Sequence, residues 1–247
     1  MGNNKLKVVF ENDDLFVIDK DAGITVNKSD TSTKQLTLQD LIDQEDMIDK
    51  NDNDEEFLKR SGIVHRLDKE TSGLIIVAKN SIAFRALQEQ FKERKVEKSY
   101  LALAHGEVVP MEGEISAPIG RLPWNRKRFG VLAGGRESLT PYRVIALYKS
   151  VPSEEILSFI SLFPKTGRTH QIRVHLKFIN HPIFGDPLYG GRKTVREDRK
   201  LLSRVFLHAE KLSFFDPKTE ERIVLNSVLP TELKDLLENF ELKTDNN

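Results

Sequence analysis

Residues 61–80 read SGIVHRLDKETSGLIIVAKN. A run of charged and small residues, Arg66, Asp68, Lys69, Glu70, Thr71, Ser72 and Gly73, separates two apolar pieces, Ile63-Val64 and Leu74 to Ala78, which read as buried strands. Charge between two core strands needs a reason. A carboxylate on a short turn between them is fixed in place and partly desolvated, which raises its free energy unless a cation lies near. Asp68, with Arg66 and Lys69 as neighbours, therefore reads as a held acid. The alternative is a turn former whose side chain caps the backbone before Gly73.

Working outward, 247 residues allow one large domain or two small ones, and 38% hydrophobic with 31% charged residues describes a soluble globular chain. No run approaches the apolar length of a membrane span, and Met1 to Lys7 is polar, so a cytoplasmic protein without a membrane partner is expected. Cysteine is absent, which excludes disulfides, thiolate nucleophiles and cysteine-ligated metals. The six histidines are scattered without an HExxH pair, and His170 and His175 are five apart, off one helical face; no metal site is expected. P-loop, GxGxxG and GxSxG strings are missing too.

The formal net charge is +0, but its distribution is uneven. Residues 43–56 hold eight acids against one base, Lys50, a local net of −7, so the other residues together carry +7. Bases gather at Arg121, Arg126, Lys127 and Arg128, and again at Arg192, Lys193, Arg196, Arg199, Lys200 and Arg204. Such clusters can neutralise phosphates, although a charge run is also what a solvated face looks like.

In chain order the pattern predicts short strands over Val8 to Phe10 and Leu15 to Asp19, a turn over residues 19–23 into Ile24-Thr25-Val26, and a helix over Leu38 to Ile42. The acidic stretch within residues 43–60 reads as a mobile surface loop. A helix capped by Asn80 or Ser81 runs to about Lys95, with Phe84, Leu87 and Phe91 inward. Strands follow over Lys98 to Gly106 and Glu114 to Ile119. Gly120 to Arg136 is then a basic loop whose Trp124 and Phe129 either stack on unpaired nucleotides or fold back onto the core. Thr140 to Tyr148 and Glu155 to Phe163 form an antiparallel pair, and Thr169 to Ile179 is a helix with Ile172, His175, Leu176 and Ile179 on one face. Arg173 sits at the edge of that face, where an unpaired guanidinium is costly, so an acidic partner is expected. Asp186 and Tyr189 read as structural, since Gly-Asp-Pro is turn chemistry. The basic stretch Arg192 to Arg204 reads as a solvated helix or an RNA contact. A strand over Ile223 to Leu225 and a helix over Leu233 to Phe240 close a chain of class α+β, with a largely antiparallel sheet.

HRLDKETSGLIIVAK (65–79), KSYLALAHG (98–106) and TGRTHQIRVHL (166–176) closely resemble motifs of the RluA family of pseudouridine synthases, and HPIFGDPLYGG and RVFLHAEKLSFFDPKT resemble its late motifs. Asp19-Lys20-Asp21-Ala22-Gly23 resembles the family's first motif, a strand ending in Lys-Pro-Ala-Gly, with Asp21 where Pro is usual. The resemblance covers roughly residues 7–240. It implies a single catalytic domain with one bent mixed sheet, an active cleft crossing its middle, and no preceding RNA-binding domain. It makes Asp68 the catalytic acid, with Tyr100 against the target base and Arg173 paired with Asp68. Arg66 resembles the Arg that enters the space a flipped base leaves. Arg168, His170, Gln171 and Ile172, the last as an apolar wall, are then candidates for holding substrate, as are Trp124, Arg126, Lys127 and Arg128 in the basic loop.

The implied reaction breaks the N1–C1′ bond of uridine, turns the uracil and rejoins it through C5. No redox change or external group is involved, so no cofactor is expected. Whether Asp68 attacks covalently or acts as a base stays open. The expected partner is structured RNA, a tRNA or rRNA stem-loop, and a monomer is the default; without an N-terminal RNA-binding domain, small stem-loops such as those of tRNA are favoured. Two alternatives remain: a non-catalytic RNA-binding or ribosome-assembly factor on the same fold, and a glycosidase-like hydrolase, which needs a second acid.

Overall fold

A computed structural model describes residues 6–28, 36–126, 128–150 and 153–243. The elements run β1 (Val8–Glu11), β2 (Leu15–Lys20), α1 (Leu38–Glu45), α2 (Glu55–Lys59), β3 (Ser72–Ala78), α3 (Ser81–Lys92), β4 (Glu97–His105), β5 (Glu112–Ser116), β6 (Ile119–Arg121) and β7 (Phe129–Val131). They continue with β8 (Leu139–Lys149), β9 (Ile156–Leu162), α4 (Gln171–Phe178), α5 (Arg192–Leu201), β10 (Leu207–Phe215), β11 (Arg222–Asn226), α6 (Thr231–Glu238) and β12 (Glu241–Leu242). The class is α+β, as expected. The chain forms two compact units: residues 1–97 with 211–227, and residues 98–210 with 228–247.

In the first unit β1, β2 and β3 are antiparallel neighbours, and the part of β10 from Lys211 pairs with β11. Every residue of LFVIDK in β2 and SGLIIVA in β3 is buried. That explains why both are near-continuous apolar runs, and the register from Leu15↔Ala78 to Lys20↔Gly73 fixes which ends meet. Helix α3 is capped by Asn80, which accepts from Ala83 N–H, and buries Ala83, Phe84 and Leu87. Phe57 of α2 meets Phe84 edge to face, with ring centroids 5.7 Å apart.

Two expectations fail here. Ile63-Val64 is no strand; Ile63 makes a single bridge to Val77, because the chain just before it turns through left-handed Ser61 and Gly62. A Cβ at Gly62 would lie 2.1 Å from the Ala78 carbonyl oxygen, so the close approach requires glycine. The acidic stretch 43–60 is likewise not a plain loop, since it holds the end of α1 and all of α2, and several of its acids serve as caps and in ion pairs. Asp54 caps α2 by accepting from Glu56 and Phe57 N–H and holds Arg85, Asp52 accepts from Ser81 N–H, and Asp43 accepts from Ser61 Oγ.

In the second unit the strand order is β4-β9-β8-β12, with β5 also on β8, all antiparallel. Strands β6 and β7 form a separate hairpin; the expected strand over Glu114 to Ile119 is split between β5 and β6. The core joins Ala102 to Ala104, Leu157, Ile160, Leu162, Leu176, Phe206 and the inward face of α6. No helix among the described residues is long and apolar enough to cross a membrane.

Candidate active site

The Asp68 loop belongs to the first unit and is held by main chain. Lys20, at the end of β2, is 1% exposed. Its ammonium donates to the carbonyls of Asp21 (2.8 Å), Ile24 (3.1 Å) and Lys69 (3.3 Å). Gly23 N–H donates to the same Lys69 carbonyl at 2.7 Å, and Thr71 N–H to the Asp68 carbonyl at 3.1 Å. The turn after β2 therefore fastens the backbone of the residue following Asp68. Before the loop, His65 Nε2 accepts from Ile76 N–H at 3.0 Å, which leaves its proton on Nδ1, and its ring packs 4.8 Å from Phe91. Between these fixed points Asp68 is half-buried, and Arg66 and Lys69 are exposed. A carboxylate at this depth can meet a ligand while its loop stays in place.

In the second unit Tyr100 lies half-buried on β4, opposite Leu162 of β9. Arg173 is 6% exposed, and its acidic partner in this unit is Asp186: Nε donates to Oδ2 at 2.7 Å and Nη2 to Oδ1 at 2.9 Å, a bidentate fork. Asp186, fully buried, also accepts from Leu188 and Tyr189 N–H through Oδ1. Asp186 thus does more than form the Gly-Asp-Pro turn: it holds Arg173 as well as the turn amides. Its signal was present in the sequence, since a lone carboxylate inside the apolar string HPIFGDPLYGG needs a cation as much as Arg173 needs an acid.

Tyr189 is the residue that sequence reasoning undervalued. It is 3% exposed, its hydroxyl lies 2.9 Å from His170 Nδ1, and it accepts from Phe129 N–H at 3.1 Å. The guanidinium of Arg173 lies 5.2 Å from its ring centroid and that of Arg128 lies 5.4 Å away, both within cation–π range. The structure thus gathers Arg128, His170 and Arg173 around one ring, whereas Trp124 (77% exposed) and Arg126 stand out on the β6–β7 hairpin. Arg121 stacks over Phe129 at 4.9 Å and donates to the Arg126 carbonyl at 2.6 Å, which braces the hairpin. Lys127 lies outside the described residues.

Gln171 and Ile172 are placed inward. Gln171 Oε1 accepts from Thr166 Oγ1 and Arg168 N–H, and its Nε2 donates to the Leu139 carbonyl and Thr140 Oγ1. All four of its hydrogen-bonding positions are filled by protein, so it braces α4 against β8. Ile172 sits in the unit's core at 6% exposure. Arg168 is half-buried and donates to the Glu137 carbonyl. His175 is fully buried between Thr140 Oγ1 and the Ala117 carbonyl; burial pushes its pKa down, so it stays neutral and structural.

The residues so placed fall within a recognisable span. A family model for RNA pseudouridylate synthases matches residues 14–178, which include Asp68, Tyr100 and Arg173. The chain belongs to this family. As a pseudouridylate synthase family member it is 38% identical over 245 residues to a ribosomal large subunit pseudouridine synthase D of Neisseria meningitidis, covering 96% of this chain and 62% of that protein. It is 36% identical over 236 residues to YhcT, an uncharacterized RNA pseudouridine synthase of Bacillus subtilis, covering 96% and 72%. The chain thus spans under two thirds of the length of the Neisseria relative. Among solved structures, human RNA pseudouridylate synthase domain containing 1 has a TM-score of 0.75 at 29% identity, over 99% of this chain and 91% of that one.

Proposed function

We propose that this chain isomerises uridine to pseudouridine in structured RNA. The observation that carries the reading is the family match over residues 14–178, whose span holds Asp68, Tyr100 and Arg173 in their motifs. Asp68 is the reacting carboxylate, as nucleophile at C1′ or as base at the ribose. Tyr100 packs on the uracil after it leaves the stack, and Arg66, exposed two residues before Asp68, fills the gap at a cost of a few kcal/mol for base extrusion. Arg173 supplies the cation that keeps Asp68 ionised; the fork with Asp186 uses two of its five N–H donors and fixes its plane. The exposed Trp124 and Arg126 suit stacking on and charge pairing with RNA outside the reacting nucleotide. No step calls for a cofactor. Large-subunit ribosomal RNA is the first target to test, because the Neisseria relative is named for it.

The test is pseudouridine mapping of total RNA from a strain lacking the gene, complemented with the native chain or with Asp68→Asn. Sites restored by the native chain alone support the reading; restoration by Asp68→Asn sinks it. Asp68→Asn should retain RNA binding within about 2-fold, since it removes a charge and little volume. Tyr100→Phe should slow turnover at a step after glycosidic cleavage, and a rate equal to native would remove Tyr100 from the chemistry.

A further inference from the structure

The β6–β7 hairpin exposes Trp124 and Arg126 at its tip, while Phe129, in the strand pair next to that tip, meets a buried polar group. Phe129 N–H donates to the Tyr189 hydroxyl, which is also hydrogen-bonded to His170 Nδ1 at the start of α4. His170 is itself in the left-handed region at φ 56°, and its carbonyl accepts from Val174 N–H in the first turn of the helix that presents Arg173. Phe129 meets His170 edge to face at 5.8 Å, and Ile119 packs with Val174 and Tyr189. Tyr189 N–H is held by Asp186, the same carboxylate that grips Arg173. One side chain thus touches the hairpin, the start of α4 and the Arg173–Asp186 fork.

Packing alone would be served by phenylalanine. The hydroxyl is what joins a backbone amide of the hairpin to a side chain of the helix, in a place with little access to water. From this we infer that Tyr189 is a positioning residue for RNA engagement: its hydroxyl sets the register of the β6–β7 hairpin against α4, so that RNA gripped at Trp124 and Arg126 is presented correctly to Arg173. The inference rests on the proposed function for its substrate, and on the Tyr189 contacts for its mechanism.

Tyr189→Phe, Trp124→Ala and the double variant should be compared in binding to a stem-loop RNA that the native chain modifies, and in turnover at saturating RNA. Tyr189→Phe should weaken binding roughly 3- to 10-fold, the range of one hydrogen bond, with kcat within about 2-fold of native. The double variant should bind no worse than Trp124→Ala alone, because both changes disable the same hairpin. A purely structural hydroxyl would lower the melting temperature and give independent, multiplying effects on binding, or none; either result overturns the inference while native turnover still upholds the proposed reaction. If the native chain modifies no RNA yet the coupling in binding persists, the reaction fails and the positioning role stands. If the native chain neither modifies nor binds RNA, both fall.

Discussion

The Asp68 loop and the Arg173 helix, each within its own unit, are held by opposite means. The loop is fastened through carbonyl oxygens converging on one buried ammonium, Lys20. The helix is fastened through side chains: the Asp186 fork, the Tyr189 ring, and Gln171 on β8. Main-chain anchoring tolerates change along the loop because every residue carries a carbonyl. Side-chain anchoring concentrates the cost of error in a few charged groups that have no water to turn to.

Breaking the fork should therefore have the largest effect. Asp186→Ala leaves the Arg173 charge buried without this partner and strips Leu188 and Tyr189 N–H of their acceptor. A loss of about 3–5 kcal/mol is expected in urea unfolding followed by circular dichroism. Replacing both partners, as Arg173→Met with Asp186→Leu, should cost less than Asp186→Ala alone, since neither charge of the fork is then left without the other. A double variant less stable than the single would show that the comparison misassigns the helix anchor.

A second buried charge in the same unit sharpens the point through pH. His105 lies between Glu155 Oε1 (2.9 Å from Nδ1) and Asp198 Oδ2 (3.0 Å from Nε2), stacked on Phe184. Burial pulls its pKa down, but the hydrogen bonds to Asp198 and Glu155 outweigh that and raise it to about 9 from 6.5. A raised pKa stabilises the fold fully below about pH 6.5, and the contribution is lost as pH rises through 9. Lys98, pushed down to about 8 by burial with Lys165 adding repulsion, titrates in the opposite sense, so the informative quantity is the difference between native and His105→Gln. That difference should be about 2–3 kcal/mol at pH 6 and shrink toward pH 9.5. A difference constant with pH would mean that the fold does not raise the His105 pKa.

Legibility followed the same division. Arg173 declared its need for an acid because a guanidinium beside an apolar helical stripe is costly, and the long apolar runs of β2 and β3 declared burial on both faces. Long helices with clean caps, such as α3 from Asn80, were readable from period and cap together. Tyr189 was hidden because a tyrosine after Gly-Asp-Pro looks like turn packing, and its partners Phe129 and His170 are distant in sequence. The bracing contacts of Gln171 were hidden because its four partners come from residues 139, 140, 166 and 168, which no local pattern brings together. The acids of residues 43–56 looked solvated because capping depends on where helices start, which composition does not tell.

Lys20 is the case where legibility was lowest and the expected effect smallest. In the sequence it is one base in the turn string DKDAG, and nothing marks it as buried, because its three acceptors are carbonyls of Asp21, Ile24 and Lys69. Lys20→Met removes the donor and keeps the length of the stem. The Lys69 carbonyl still accepts from Gly23 N–H, so the oxygens of Asp21 and Ile24 carry most of the loss, and removal of a desolvated charge offsets part of it. A destabilisation of about 1–2 kcal/mol follows, well below that of Asp186→Ala. The larger consequence should appear in turnover, because the Lys69 carbonyl that loses one of its donors adjoins Asp68: kcat should fall roughly 10-fold, with RNA binding unchanged. If stability drops by as much as in Asp186→Ala, the loop is anchored by charge after all. If kcat is untouched, Lys20 does not set the position of Asp68.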